Sequence, residues 1–132
     1  MSDDLSFFFP ELDPANDGIV PLPPAEMRFL ELKTEPVIDD GPLRLRVYVE
    51  TTAFQQRPYL EVVLTDAEGS EIASASVIEP MSRKNVFTLH MRAAKAGKFS
   101  LHARLYYPDG PQNKPVTCVF AVEPPTPQPD SN

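Results

Sequence analysis

The chain has no tryptophan, one cysteine, two histidines and five glycines in 132 residues. The lone Cys118 excludes an intramolecular disulfide, so the fold must stand on its apolar core. Gly18, Gly41, Gly69, Gly97 and Gly110 are each isolated at turn signals, which leaves no glycine-rich phosphate loop. A serine nucleophile elbow and closely spaced metal carboxylates are also absent from the sequence. Asp39-Asp40-Gly41 lacks the further ligands of a calcium loop and reads as a plain turn. No stretch approaches the roughly 18–20 apolar residues of a spanning helix. The start has no basic n-region, so neither a secretory signal nor membrane insertion is expected, and a cytoplasmic setting follows.

Basic residues are missing from one region in particular. Residues 1–25 hold Asp3, Asp4, Glu11, Asp13 and Asp17 and no Lys or Arg, whereas 26–122 carry all twelve Lys and Arg against twelve acids. The net charge of −7 therefore belongs to the two ends of the chain, since Glu123 and Asp130 supply the remainder. A neutral body has no basic stripe for phosphate backbones, and nucleic acid is not an expected partner.

What the chain has in abundance is proline, sixteen in all. Proline cannot donate to a ladder and is confined to turns, strand starts and sheet edges. Five fall before residue 25 and four after 123; Pro36, Pro42, Pro58, Pro80, Pro108, Pro111 and Pro115 fall between apolar, alternating stretches. The expected organisation is an extended acidic leader (1–25), a β-domain (26–123) and a proline-rich tail (124–132).

Seven stretches carry β-type sequence. The first, Glu26 to Glu35, is apolar but of mixed phase around Phe29-Leu30. In the second, Leu43, Leu45, Val47 and Val49 alternate with Arg44, Arg46, Tyr48 and Glu50, the period-two signature of a half-buried strand. The third places Leu60, Val62 and Leu64 on one face and ends in Asp66-Ala67-Glu68-Gly69-Ser70, a hairpin loop. The fourth, Glu71 to Glu79, is small and polar at its centre, as an edge strand often is. The fifth points Phe87, Leu89 and Met91 inward, the sixth Phe99, Leu101, Ala103 and Leu105, and the seventh Cys118, Phe120 and Val122. Helical periodicity is confined to the short stretch Arg92 to Lys98. The expected fold is all-β, a seven-stranded antiparallel sandwich. Its core is predicted to hold Leu45, Val47, Leu60, Val62, Leu64, Phe87, Leu89, Phe99, Leu101, Leu105 and Phe120.

Ala96-Gly97-Lys98-Phe99-Ser100-Leu101-His102-Ala103 resembles the loop and sixth strand of immunoglobulin-like and fibronectin-III-like domains. The resemblance implies an immunoglobulin-like sandwich over 26–123. Phe99 stands where such domains often carry a corner tyrosine, and no tryptophan or cysteine pair is present, so the chain is not of antibody type. In that topology the fifth and sixth strands lie in different sheets, which separates His90 from His102 and disfavours a shared metal. No catalytic residue, metal ligand or cofactor is expected, and Cys118 reads as a small buried thiol.

Two features point to binding instead. The leader contains Phe7, Phe8, Phe9 and Leu12 among acids and prolines. Burying one Phe is worth about 1.5–3 kcal/mol, so three in a row imply a surface that receives them, on this chain or on a partner. The outward phase of strands three, six and seven collects Tyr59, Val63, His102, Tyr106, Val119 and Ala121, with Glu61 and Arg104 between. A sheet combining them would be more apolar than solvent requires. Arg44, Arg46, His90 and Arg92 form a basic stripe on the opposite sheet. The expected function is a non-enzymatic protein-interaction module, an accessory subunit or adaptor, with self-association left open. The alternative is a small-ligand or carbohydrate-binding sandwich, for which Tyr59, Tyr106 and Tyr107 are the candidate aromatics.

Overall fold

A computed structural model of the chain describes residues 16–39, 41–91, 96–111 and 113–123. It contains seven antiparallel strands: β1 (Phe29–Val37), β2 (Arg44–Thr51), β3 (Tyr59–Thr65), β4 (Glu71–Ile78), β5 (Lys84–His90), β6 (Gly97–Tyr106) and β7 (Val116–Val122). They form a three-stranded sheet in the order β1-β2-β5 and a four-stranded sheet in the order β4-β3-β6-β7. Among the described residues there is no α-helix, and a 3-10 turn lies at Pro24–Glu26.

The alternation in the sequence explains the packing. Leu45, Val47 and Val49 of β2 face Leu60, Val62 and Leu64 of β3 and Phe99, Leu101, Ala103 and Leu105 of β6 across the sandwich, all nearly fully buried. Phe87 and Phe120, expected in the core, are only half-buried. Both lie on strands that end a sheet, where the opposite layer covers one flank only. Phe120 recovers contact by stacking on Phe99, ring centroids 5.6 Å apart. Cys118, on the same edge strand, is likewise half-buried, with its Sγ 3.8 Å from Thr34 Oγ1 of β1.

The mixed phase of the first strand has a cause. The register of β1 against β2 shifts between Phe29 and Glu31, a bulge that switches faces. Beyond it, Leu32, Thr34 and Pro36 pair with Val49, Val47 and Leu45 and so share their inward face. The strand runs on to Val37, which corrects the reading of Pro36 as a separator: it lies within β1. The rule behind that reading survives, because β1 is an edge strand and its outer side needs no donors.

The β3–β4 hairpin is built as its sequence suggests. Gly69 takes φ +84°, and Asp66 Oδ1 accepts hydrogen bonds from the amides of Glu68 and Ser70, both at 2.9 Å.

Residues 16–26 are fastened to the β2–β3 connection. Asn16 is 1% exposed, and its side chain both donates to the Phe54 carbonyl (3.0 Å) and accepts from the Phe54 amide (2.8 Å). Leu22 makes a parallel bridge with Phe54, through Leu22 N–H to Ala53 O and Gln55 N–H to Leu22 O. Arg83, buried at 5% exposure, holds Glu50 at 2.6 Å through Nη1 and lies 3.5 Å from Asp17 through Nε. The second contact has ion-pair distance without hydrogen-bond geometry. A buried cation this close to two carboxylates is compensated, and removing either acid would leave it partly unpaired. The stretch 15–25 was expected as an extended spacer. Where it is described, it is a strap.

Candidate functional site

Residues paired across an antiparallel ladder share a face, so the registers alone assemble the candidate surface. Tyr59 lies opposite Tyr106, Glu61 opposite Arg104, Val63 opposite His102 and Thr65 opposite Ser100 between β3 and β6. On β7, Thr117 lies opposite His102 and Val119 opposite Ser100. The six sheet-face residues singled out in the sequence, Tyr59, Val63, His102, Arg104, Tyr106 and Val119, therefore share the outer face of the four-stranded sheet.

At one end of this face the Tyr59 and Tyr106 rings sit 5.4 Å apart at 51°. The Arg104 guanidinium carbon lies 4.6 Å from the Tyr106 ring centroid, and its Nε donates to Glu61 Oε1 at 2.8 Å. Arg104 is thus both charge-paired and stacked, an arrangement that fixes a planar cation on an aromatic surface. In the middle, His102 is held from both sides. Its Nδ1 is 3.1 Å from Thr117 Oγ1 and its Nε2 is 3.1 Å from Thr65 Oγ1. At the far side Val119 is 67% exposed.

One member of the surface went unnoticed in the sequence. Ile78, the last residue of β4, pairs with Tyr59 and is 62% exposed, extending the aromatic end into a row Ile78–Tyr59–Tyr106. Period two along Glu71–Ile78 places Val77, Ala75 and Ala73 inward and Ile78 outward, so the signal was available; the small residues at the strand's centre obscured it.

The basic stripe is corrected by its acids. Arg44 is ion-paired with Asp39, and Arg46 Nη1 lies 3.8 Å from Glu35. The Gly41 amide, followed by the Arg44 guanidinium, holds the Asp39 carboxyl below the usual carboxylate range. Asp39 also folds back on its own turn through that amide at 2.8 Å, as expected of a plain turn. Arg92 lies outside the described residues. His90, paired with Arg44, faces out from the three-stranded sheet while His102 faces out from the other, so a sandwich thickness separates them. Tyr107 is also lost as a candidate aromatic. It is 4% exposed, its hydroxyl donates to Gln56 O at 2.9 Å, and desolvation pushes its pKa up to about 12. Phe7, Phe8, Phe9 and Leu12 of the leader lie outside the described residues.

Neither a protein-family model nor a curated protein sequence matches the chain. Solved structures do. The chain is similar to part of a β-glucuronidase from Parabacteroides merdae, with a TM-score of 0.58 at 10% identity, covering 73% of this chain and 14% of that one. A structure of the same enzyme with glycerol in its active site aligns at the same score and identity, covering 73% and 13%. At this identity the likeness is one of fold: a β-sandwich that occupies a small share of a longer chain.

Two hollows among the described residues lie away from the aromatic row. One of about 540 Å³ is lined by Met27, Arg28, Phe29, Asn113, Lys114 and Val116, and another of about 500 Å³ by Asp39, Pro42, Arg44 and His90. The outer face of the four-stranded sheet offers an open surface on which side chains are already paired with one another. No helix among the described residues is long and apolar enough to cross a membrane.

Proposed function

We propose that the chain is a non-catalytic, immunoglobulin-like or fibronectin-III-like module that binds another protein through the outer face of its four-stranded sheet. The observation that carries this reading is the row Ile78–Tyr59–Tyr106 with Arg104 stacked on its end. Tyrosine and arginine are the residues most enriched at the energetic centres of protein interfaces, and an open face suits a protein better than a small molecule, which needs concavity. The leader residues Phe7, Phe8, Phe9 and Leu12 are a second contact in this proposal, and the module serves a larger cytoplasmic assembly as an accessory subunit or adaptor.

Carbohydrate recognition is the second reading, favoured by the fold-level likeness to part of a glycosidase. The local geometry supports it less. A sugar ring stacks on an accessible aromatic face, whereas here Arg104 lies over Tyr106 and the two rings are tilted rather than coplanar.

The experiment compares the full chain with a Tyr59→Ser/Tyr106→Ser variant and a Thr88→Ser control in affinity purification from the native cells. A protein that co-purifies with the wild type and the control but not with the tyrosine variant is the expected result. Retention by all three would overturn the assignment of the face, and tyrosine-dependent binding on a glycan array would establish the second reading.

A further inference from the structure

A strand at the end of a sheet presents unpaired N–H and C=O groups, and proteins blunt such edges with charge, proline, bulges or short length. Four strands here are edges: β1 and β5 of one sheet, β4 and β7 of the other. Three of them are blunted. β1 contains Pro36, a bulge and the charges of Glu31, Lys33 and Glu35. β4 begins at Glu71 with a register shift opposite Leu64 and Thr65. β5 is bounded by Lys84 and His90.

The fourth edge has none of these devices. β7 reads Val-Thr-Cys-Val-Phe-Ala-Val, seven residues without a charge, a proline or a shift in its register against β6. Among the described residues no backbone hydrogen bond reaches its outer side. Its side chains are under-covered as well: Val116 is 37% and Val119 67% exposed, and the inward-pointing Cys118 and Phe120 are only half-buried.

The symmetry of the strand indicates what covers it. Val119 is the central residue of β7. Antiparallel pairing of two copies about Val119 sets Val119 against itself, Thr117 against Ala121, Cys118 against Phe120 and Val116 against Val122. Like charges facing each other are the usual obstacle to a strand pairing with its own copy, and no charge meets here. Each pair also matches in face, because Thr117, Val119 and Ala121 point outward and the other four inward. The chain's own tail is a poor occupant, since Pro124, Pro125, Pro127 and Pro129 remove donors from the segment that follows β7.

We propose that the protein forms a two-fold dimer through β7, joining its two four-stranded sheets into one continuous antiparallel sheet. The contact is isologous and therefore closed, which ends the assembly at two copies rather than a fibre. The inference does not depend on the partner-binding reading. The Ile78–Tyr59–Tyr106 row runs across β4, β3 and β6 and takes no residue from β7, so each dimer carries two such rows facing the same way.

The test is sedimentation velocity of the full chain over a dilution series, with Val119→Lys and Val119→Glu variants measured separately and mixed in equal amounts. Wild type is expected to run as a dimer that dissociates on dilution. Each variant alone is expected to run as a monomer, because identical charges are forced together at the two-fold. The mixture is expected to recover the dimer mass, because Lys then meets Glu, and to lose it at high salt. A wild type that is monomeric at sub-millimolar concentration, or variants that remain dimeric, would overturn the proposal. Hydrogen exchange of the wild type provides an arm that needs no substitution. Protection of alternate β7 amides that rises with protein concentration supports the dimer. Protection in a monomer, independent of concentration, would mean that the chain's own leader or tail occupies the edge and the proposal is wrong.

Discussion

The two outward faces of the sandwich come from the same kind of alternating strand and are chemically unlike. On the three-stranded sheet, Arg44 and Arg46 have Asp39 and Glu35, and Lys33 Nζ sits 5.5 Å from the centroid of the Tyr48 ring. Among its described strand residues, Val86 and Leu30 beside the β1 bulge are the largely exposed aliphatics. Among the described residues the four-stranded sheet has a single ion pair, Arg104–Glu61, set among Tyr59, Tyr106, Val63, Ile78 and Val119. Charges already matched on their own surface gain little by meeting a partner, whereas apolar area removed from water contributes roughly 25 cal/mol per Å² wherever it is buried. The sequence leaves either face open as a receiving surface, with the apolar and aromatic residues of the second as the candidate site. The local partners of the first face's cations favour the second.

The contrast can be broken from beneath. Both faces stand on one core, and Leu101, with no exposure, is at its centre. Leu101→Ala should cost about 2–5 kcal/mol in urea unfolding and disturb both faces together. A loss under 1 kcal/mol would mean that the sheets do not depend on a shared core. The next largest effect is expected at the strap. Asn16→Ala leaves the buried amide and carbonyl of Phe54 without partners, at a cost of about 1–3 kcal/mol, and should speed hydrogen exchange at Leu22 and Phe54 selectively. Uniform acceleration across all strands would show that the strap is integral to the core.

A smaller effect appears only in alkali. Tyr107 has its pKa raised from 10.0 to about 12 by burial, so the folded state retains a proton that the unfolded state gives up. The corresponding stability is fully present below pH 10 and is lost as pH rises from there through about 12. Tyr107→Phe should flatten the fall in stability over that window. An unchanged slope would show that Tyr107 ionises freely in the fold. Least of all, Arg46→Gln on the charge-paired face should change stability by no more than about 1 kcal/mol, with a salt-sensitive remainder. If it weakened partner binding as strongly as Tyr59→Ser/Tyr106→Ser, the distinction between the faces would fail.

Most of the fold could be read from period two. β2 and β6 show it without interruption, and their inward residues Leu45, Val47, Leu101 and Leu105 are among the most deeply buried of the described residues. β1 was blurred because its bulge switches faces within the strand, a backbone irregularity with no residue signature at Phe29-Leu30. The depth of Phe87, Cys118 and Phe120 was overstated for a different reason. Phase gives the direction a side chain points, and only strand order reveals whether anything lies above it. The candidate face followed once β3, β6 and β7 were taken to share a sheet. The pairing of Arg44 with Asp39 and the capture of Phe54 by Asn16 depend on contacts that no local pattern encodes; the second joins residues 38 apart in sequence.

The double hydrogen bond between Asn16 and Phe54 also sets a radius of action for the chain that precedes it. The sequence alone would place the leader's point of attachment near the first strand; the structure moves it to Asn16. A residue contributes at most about 3.3–3.6 Å of reach, so Phe9 can act no farther than roughly 25 Å from that anchor and Phe7 no farther than roughly 32 Å. Any surface that receives these phenylalanines must lie inside that sphere, whether it belongs to this domain or to a molecule resting on it. Within so small a volume a weak contact gains a high effective concentration, and loosening Asn16 would dilute it without touching a single aromatic residue.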